Sequence, residues 1–152
     1  MLVDDRGRQV RIGSYGLAID DRAGSPILLT RLAPDEADAG YWTLPGGGLD
    51  WGEHPLDGLR REFIEETGLE PRVVSLLGIH AYSLTSEQRR RPGPPIHVIQ
   101  AVYLVAAEGN PVHEVSGSTV EARWFPTVEL DSVPVVDLVK VAIGFRESFK
   151  TR

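Results

Sequence analysis

Cysteine is absent from the 152-residue chain. That excludes disulfides, thiolate metal sites and a cysteine nucleophile, and it fits a reducing compartment. Long apolar runs are missing as well. The start, MLVDDRGRQV, has no signal-like apolar core, and no stretch approaches the length of a membrane span. The expectation is a soluble cytoplasmic protein with no membrane partner. Basic residues are in deficit: 16 Lys and Arg face 22 Asp and Glu, for a formal charge of −6. No nucleic-acid module or extended basic face is visible, so no nucleic-acid partner is expected. A phosphate-bearing ligand gains nothing from the overall field, so clustered arginines or a bound cation must supply positive charge locally. Repeats and low-complexity segments are lacking too. What remains, 41% apolar residues in a chain of this length, suits one core and a single domain over 1–152.

Hydrophobic patterning gives a coarse order of elements. Arg8 to Asp20 contains a strand, with Val10, Ile12, Tyr15, Leu17 and Ile19 facing apolar surroundings. Asp20 to Pro26 is turn chemistry and Ile27-Leu28-Leu29 returns as a strand, which reads as a hairpin. After a polar loop, Tyr41 to Leu44 is short and extended. The run Pro45-Gly46-Gly47-Gly48 argues against ordinary helix or strand. His54 to Thr67 reads as a helix, with Pro55 in its first turn and Gly68 as its stop. Val73 to Ile79 is a strand that can extend to Tyr82, and Thr85 to Pro95 is a loop. Ile96 to Ala107, nearly continuous in apolar residues, reads as the central strand. A short strand over Glu121 to Pro126 and a helix over Leu138 to Phe149 follow. The sum is an α/β fold with a mixed sheet covered on both faces.

The chemistry concentrates in Gly47 to Leu69, GGLDWGEHPLDGLRREFIEETGL. On a helical wheel Leu56, Leu59 and Phe63 share the arc that faces a core. Glu62, Glu65 and Glu66 share an adjacent arc about 100° wide. Gly58, one turn before Glu62, leaves that side open to close approach. At an effective dielectric of 20 and about 6 Å, each carboxylate pair repels by roughly 3 kcal/mol. Arg61, four residues before Glu65, is placed to offset part of this. A hard divalent cation offsets it better, because oxygen ligands turn repulsion into coordination, and magnesium shares its sphere with phosphate oxygens.

Taken together these residues resemble the Nudix box. The pattern is a glycine, five residues, glutamate, seven residues, Arg-Glu, an apolar residue, any residue, Glu-Glu, any residue, glycine and a final apolar residue. Here it reads Gly47, Glu53, Arg61-Glu62-Phe63, Glu65-Glu66, Gly68 and Leu69, with every spacing kept. Seven fixed positions at background frequencies near 7% recur by chance on the order of once in 10⁸ windows. The resemblance implies a Nudix-like α/β/α sandwich with a mixed β-sheet between helices. It also implies hydrolysis of a small-molecule nucleoside diphosphate joined to another group, with Mg²⁺ or Mn²⁺. Carried over by position, Glu62, Glu65 and Glu66 hold metal, with the Gly46 carbonyl as a further ligand. Glu62 is a candidate base, although in this family the base is sometimes a glutamate outside the box. Glu53 and Arg61 shape the loop and orient the carboxylates.

Some positions depart from the pattern or lie beyond it. Asp50 stands where glutamate is common, His54 is a poor cap, and Gly58 costs about 1 kcal/mol in helix propensity. Many relatives add a carboxylate before a Trp-Phe pair like Trp124-Phe125; Glu121 is the best placed here, with Glu114 and Glu87 as others. Arg89-Arg90-Arg91, in the proline-bearing loop, are candidates for substrate binding. Trp42, Tyr41 and Tyr82 are candidates for stacking a base, and His80, His97 and His113 are read as structural. ADP-ribose-like sugars, damaged nucleoside triphosphates and dinucleoside polyphosphates stay open as substrates, and so does a homodimer. The competing classes are a non-catalytic sensor of a nucleotide metabolite, which commonly loses box glutamates, and an allylic diphosphate isomerase, which is expected to need a cysteine.

Overall fold

Both faces of the central strands are covered, and this sets the architecture. In chain order the elements are β1 (Leu2–Val3), β2 (Gln9–Ala18), β3 (Ile27–Leu32), β4 (Trp42–Thr43), β5 (Gly46–Gly48), α1 (Pro55–Thr67), β6 (Arg72–Leu84), β7 (Ile96–Ala106), β8 (Thr119–Phe125), a 3₁₀ turn (Thr127–Ser132) and α2 (Asp137–Lys150). The structure is a computed structural model and describes residues 2–112 and 117–150. His113 and Glu114, raised above, lie outside the described residues.

One sheet runs β1-β2-β7-β6, with β5 also beside β2. It is mixed: β2 and β7 are parallel, whereas β6 with β7 and β5 with β2 are antiparallel. A second, antiparallel sheet runs β4-β3-β8. Neighbouring side chains on a strand go to opposite faces. Leu17, Val102, Ile27 and Leu29 meet Leu138, Val139 and Ala142 of α2, while Ala18, Val105 and Leu28 meet Leu59 and Phe63 of α1. Helices therefore cover both faces, as an α/β/α sandwich, and β7 is flanked on both sides by strands.

Several expectations are corrected. The hairpin between segments 8–20 and 27–29 does not form. Beyond one bridge, Ile19 with Ile27, β3 belongs to the second sheet. The reason is that both edges of β2 are already taken, one by β1 and β5 and the other by β7. Ile12 is exposed, so the expected apolar face does not run unbroken along β2. The glycine run is a strand after all, pairing Gly46, Gly47 and Gly48 with Tyr15, Ser14 and Gly13. Glycine is required there by close approach: at Gly46, with φ of 144°, an added Cβ would collide with the backbone of Ser14 and Tyr15.

Helix α1 is better capped than expected, because His54 Nδ1 accepts the Leu56 N–H at 3.1 Å. Gly68, in the left-handed region, closes the other end through its N–H to Ile64 O. Leu59 and Phe63 are fully buried as the wheel requires, but Leu56 is 40% exposed at the helix start. The surface at Gly58 is not open. Leu49 and Glu53 fill the space that a Cβ would enter.

Candidate active site

The face of α1 beside its apolar arc lies against β5, and the contact is built on glycine. A Cβ on Gly47 would sit 2.8 Å from Glu62 Cδ and 3.0–3.1 Å from both its oxygens. A side chain at Gly47 would therefore require the Glu62 carboxylate to shift. One residue earlier, the Gly46 N–H donates to Glu66 Oε1 at 2.8 Å. Glu66 is 5% exposed, and its Oε2 is buried with no hydrogen-bond partner. Burial pushes the Glu66 carboxyl up to about 8; the Gly46 N–H opposes this, the Glu62 charge adds to it, and the Thr119 hydroxyl opposes it.

Arg61 organises the rest. Its Nε and Nη2 grip Glu53 Oε2 and Oε1 at 2.9 and 2.8 Å, a two-pronged pair, while Nη1 donates to Glu62 Oε1 at 2.8 Å. Nη2 also reaches Gly48 O at 3.3 Å. The Arg61 bond, and then the Asp50 N–H, hold the Glu53 carboxyl down at about 2. Glu62 goes the other way, raised by burial against the pull of Arg61. The expected Arg61–Glu65 pair is the loosest contact of the hub, at 4.0 Å, and Glu65 is half exposed. Among the described residues no three carboxylate or imidazole groups converge as a ready metal cage. Like charges explain the spread: Glu62 turns to Arg61 and Glu66 turns to the Gly46 N–H.

Glu66 and Gly46 form one wall of a cavity of about 980 Å³. Its floor is the open end of the mixed sheet, where Gln9, Arg11 and Tyr15 of β2 lie beside Val98 and Gln100 of β7 and His80 and Tyr82 of β6. Two loops frame the mouth. Arg90 Nη1 bonds Asp38 Oδ1 at 2.7 Å and Arg91 lies 3.9 Å from Glu36, so the arginine run meets an acidic loop across the opening. Arg89 instead holds its own loop, donating to Gln9 Oε1 at 2.8 Å and to Pro94 O at 2.6 Å. A smaller pocket of about 400 Å³, between Asp4, Arg8 and His97, has no box residue on its walls.

The structure brings Glu66, Gly46 and the three loop arginines to one cavity, while Glu53, Arg61, Glu62 and Glu65 lie off its wall. It does not bring Trp42, which is 4% exposed and packs edge-on against Phe125, with ring centroids 4.7 Å apart. Arg31 and Arg123 lie against that ring, so no face is left for a base. Glu121 sits off the cavity wall, near Arg123 at 3.5 Å and Arg31 at 3.7 Å. Glu87 is exposed in its loop, also off the cavity. Arg11, Tyr15 and Gln100 were not singled out for the site. The signal was present in β2, where polar residues alternate at Gln9 and Arg11, but strand neighbours were needed to see the floor.

Known proteins are similar to this chain in sequence and in fold. An RNA pyrophosphohydrolase of Azorhizobium caulinodans is 46% identical over 65 residues, which cover 41% of this chain and 38% of the relative. An ADP-ribose pyrophosphatase of Methanocaldococcus jannaschii is 35% identical over 95 residues, covering 62% of this chain and 50% of the relative. The chain thus spans half or less of the length of these relatives. A crystal structure of a MutT NUDIX hydrolase from Burkholderia pseudomallei superposes with a TM-score of 0.70 at 28% identity, covering 90% of this chain and 97% of that one. The pattern described as the NUDIX domain matches residues 10–142, well over half of the sequence, and the chain belongs to that family.

Proposed function

We propose that this protein hydrolyses a diphosphate linkage in a nucleoside diphosphate joined to another group. In this reading Mg²⁺ or Mn²⁺ is held by Glu62, Glu65, Glu66 and the Gly46 carbonyl. The observation that carries it is Glu66 Oε2, a buried carboxylate oxygen without a hydrogen-bond partner on the wall of a nucleotide-sized cavity. Buried carboxylate oxygens are normally satisfied, and a hard divalent cation is the partner this one fits. When bound, such an ion neutralises the diphosphate and activates water as a nucleophile. Arg61 fixes Glu62 through Oε1, which leaves Glu62 Oε2 to take the proton from the attacking water. Arg11, on the floor beside Gly48, supplies positive charge to the diphosphate from the opposite side.

A small molecule suits this site better than a nucleic-acid polymer. The mouth is framed by two salt-bridged loops, and a chain with net charge −6 has no field to gather a polyanion. The pyrophosphate-cleaving names of the two relatives support the reaction class and leave the substrate open. Among the described residues no helix is long and apolar enough to cross a membrane; a cytoplasmic location is part of the proposal.

The test is a hydrolysis screen over ADP-ribose, dinucleoside polyphosphates and nucleoside triphosphates, with product identification, in Mg²⁺, Mn²⁺ or chelator. Metal-dependent cleavage is expected. Activity that survives thorough chelation overturns the metal assignment, and binding without cleavage replaces hydrolysis by the sensor reading.

A further inference from the structure

Among the described residues, five buried side-chain polar atoms lack hydrogen-bond partners, and two line the same cavity: Glu66 Oε2 and Gln100 Oε1. The first is accounted for by the metal reading. The second is not. Gln100 is 9% exposed in the middle of β7, and its same-face neighbours Val98 and Val102 are apolar. Leucine there would fill the space without the cost of a buried amide oxygen that lacks a partner. A polar group kept in such a place points to a ligand that completes it.

Position tells which part of a ligand. One row of strand partners runs Gly48, Gly13, Gln100, His80 across β5, β2, β7 and β6. Two strand spacings, roughly 10 Å, separate the box backbone from Gln100. Gly13, between them, raises no side chain; a Cβ there would press on the Tyr15 ring at 2.8 Å. The Tyr15 ring thus lies over the row at Gly13, and Glu66, Tyr15 and Gln100 line one cavity, whose reach is comparable to that from a 5′-phosphate to the edge of its base. The amide is neutral, so it does not compete for phosphate. That task suits Arg11, which forms no ion pair within 4.0 Å with a described carboxylate. The His80 and Tyr82 rings, 5.7 Å apart, edge the floor beyond Gln100 and offer surface to a planar group.

We propose that Gln100 sets base selectivity: Oε1 accepts from the exocyclic amine of an adenine, and Nε2 donates to its ring nitrogen, while the base lies on the floor beside His80 and Tyr82. Glutamine matches adenine through this two-point edge better than it matches the other bases. The inference rests on the nucleotide-hydrolase reading for its substrate class, but it is tested by binding alone.

The experiment is calorimetric titration of the full chain, in Mg²⁺, with the non-cleavable α,β-methylene analogues of ADP, GDP, CDP and UDP. Wild type should bind the ADP analogue about 5- to 150-fold more tightly than the GDP analogue. Gln100→Leu should remove that preference while melting at the same or a higher temperature, because a buried amide oxygen that lacks a partner is lost. Gln100→Glu, which keeps an acceptor and loses the donor, should weaken the preference without inverting the fold. No adenine preference in wild type, or an unchanged preference in Gln100→Leu, overturns the assignment. Selective binding by a wild type that cleaves nothing in the screen would sink the hydrolase reading and leave Gln100 in place.

Discussion

Replacing Glu66 by glutamine should stabilise the protein without metal and lose that advantage when Mg²⁺ is added. The free carboxyl of Glu66 stands at about 8, against an ordinary value of 4.5, because it is buried and the Gly46 N–H and Thr119 hydroxyl only partly offset that burial. Below pH 4.5 it is neutral in both the folded and the unfolded chain and costs nothing. Between 4.5 and 8 the unfolded chain releases the proton while the folded one holds it, so stability falls as pH rises; above 8 the loss is complete. Linkage puts the loss at about 3 kcal/mol at pH 7. Glutamine never ionises and keeps an oxygen for the Gly46 N–H. In chelator at pH 7, Glu66→Gln should therefore melt up to roughly 6–12 °C above wild type, and the gap should shrink towards pH 4.5. At a hundredfold excess of Mg²⁺ over its Kd, wild type gains about 2.7 kcal/mol, and the variant should lose most of that gain, so the gap closes or reverses. Thermal melts at pH 5 and 7, with and without Mg²⁺ at fixed ionic strength, give the answer. Equal metal-induced shifts in the two proteins, or a less stable variant in chelator at pH 7, would refute the reasoning.

Other perturbations test separate links. Gly47→Ala would press a methyl group on the Glu62 carboxylate, 2.8 Å from Cδ, and should lower kcat by about 10²-fold with little change in KM; kinetics like those of wild type would show that Glu62 tolerates displacement. Phe63→Ala removes a fully buried ring packed on Gly16 and Val105, and urea unfolding should report a loss of about 3–5 kcal/mol. A loss below about 1 kcal/mol would mean that α1 is held mainly by something other than this contact. Alanine at Arg89, Arg90 and Arg91 together should raise KM or alter substrate preference. The exposed Arg90–Asp38 pair should cost less than about 1 kcal/mol of stability, and unchanged kinetics across the substrate panel would leave the run as a purely structural clasp.

The box was readable because its spacing is local. Glu62, Glu65 and Glu66 lie within two turns of one helix, and Glu53 and Gly47 sit in the loop before it, so periodicity alone places them together. The cavity floor was not readable for the opposite reason. Arg11, Gln100 and Tyr82 become neighbours only when β2, β7 and β6 pair, and no local pattern states that pairing. The glycine run departs from expectation because propensity describes what glycine loses in a strand, whereas here the contact of Gly46 with the backbone of Ser14 and Tyr15 admits nothing larger. Trp42 was misplaced by a similar route: two residues of strand cannot tell which face is buried, and its partners Phe125 and Arg123 come from β8, far along the chain.

The parallel pairing of β2 with β7, from Gln9 with Ile96 to Ala18 with Val105, also carries a consequence for how the molecule comes into being. It ties residues 9–18 to residues 96–105, and every pair closes a loop that contains the whole box. Such contacts gain nothing until most of the chain is available, which slows folding relative to hairpin-linked sheets. On the ribosome, at about 5–20 residues per second, the box helix is made several seconds before β7 exists to complete the sheet beneath it. During that interval Leu59 and Phe63 have only part of their eventual cover, since Val105 is not yet present. The box residues are thus made well before the strand that completes the sheet beside them.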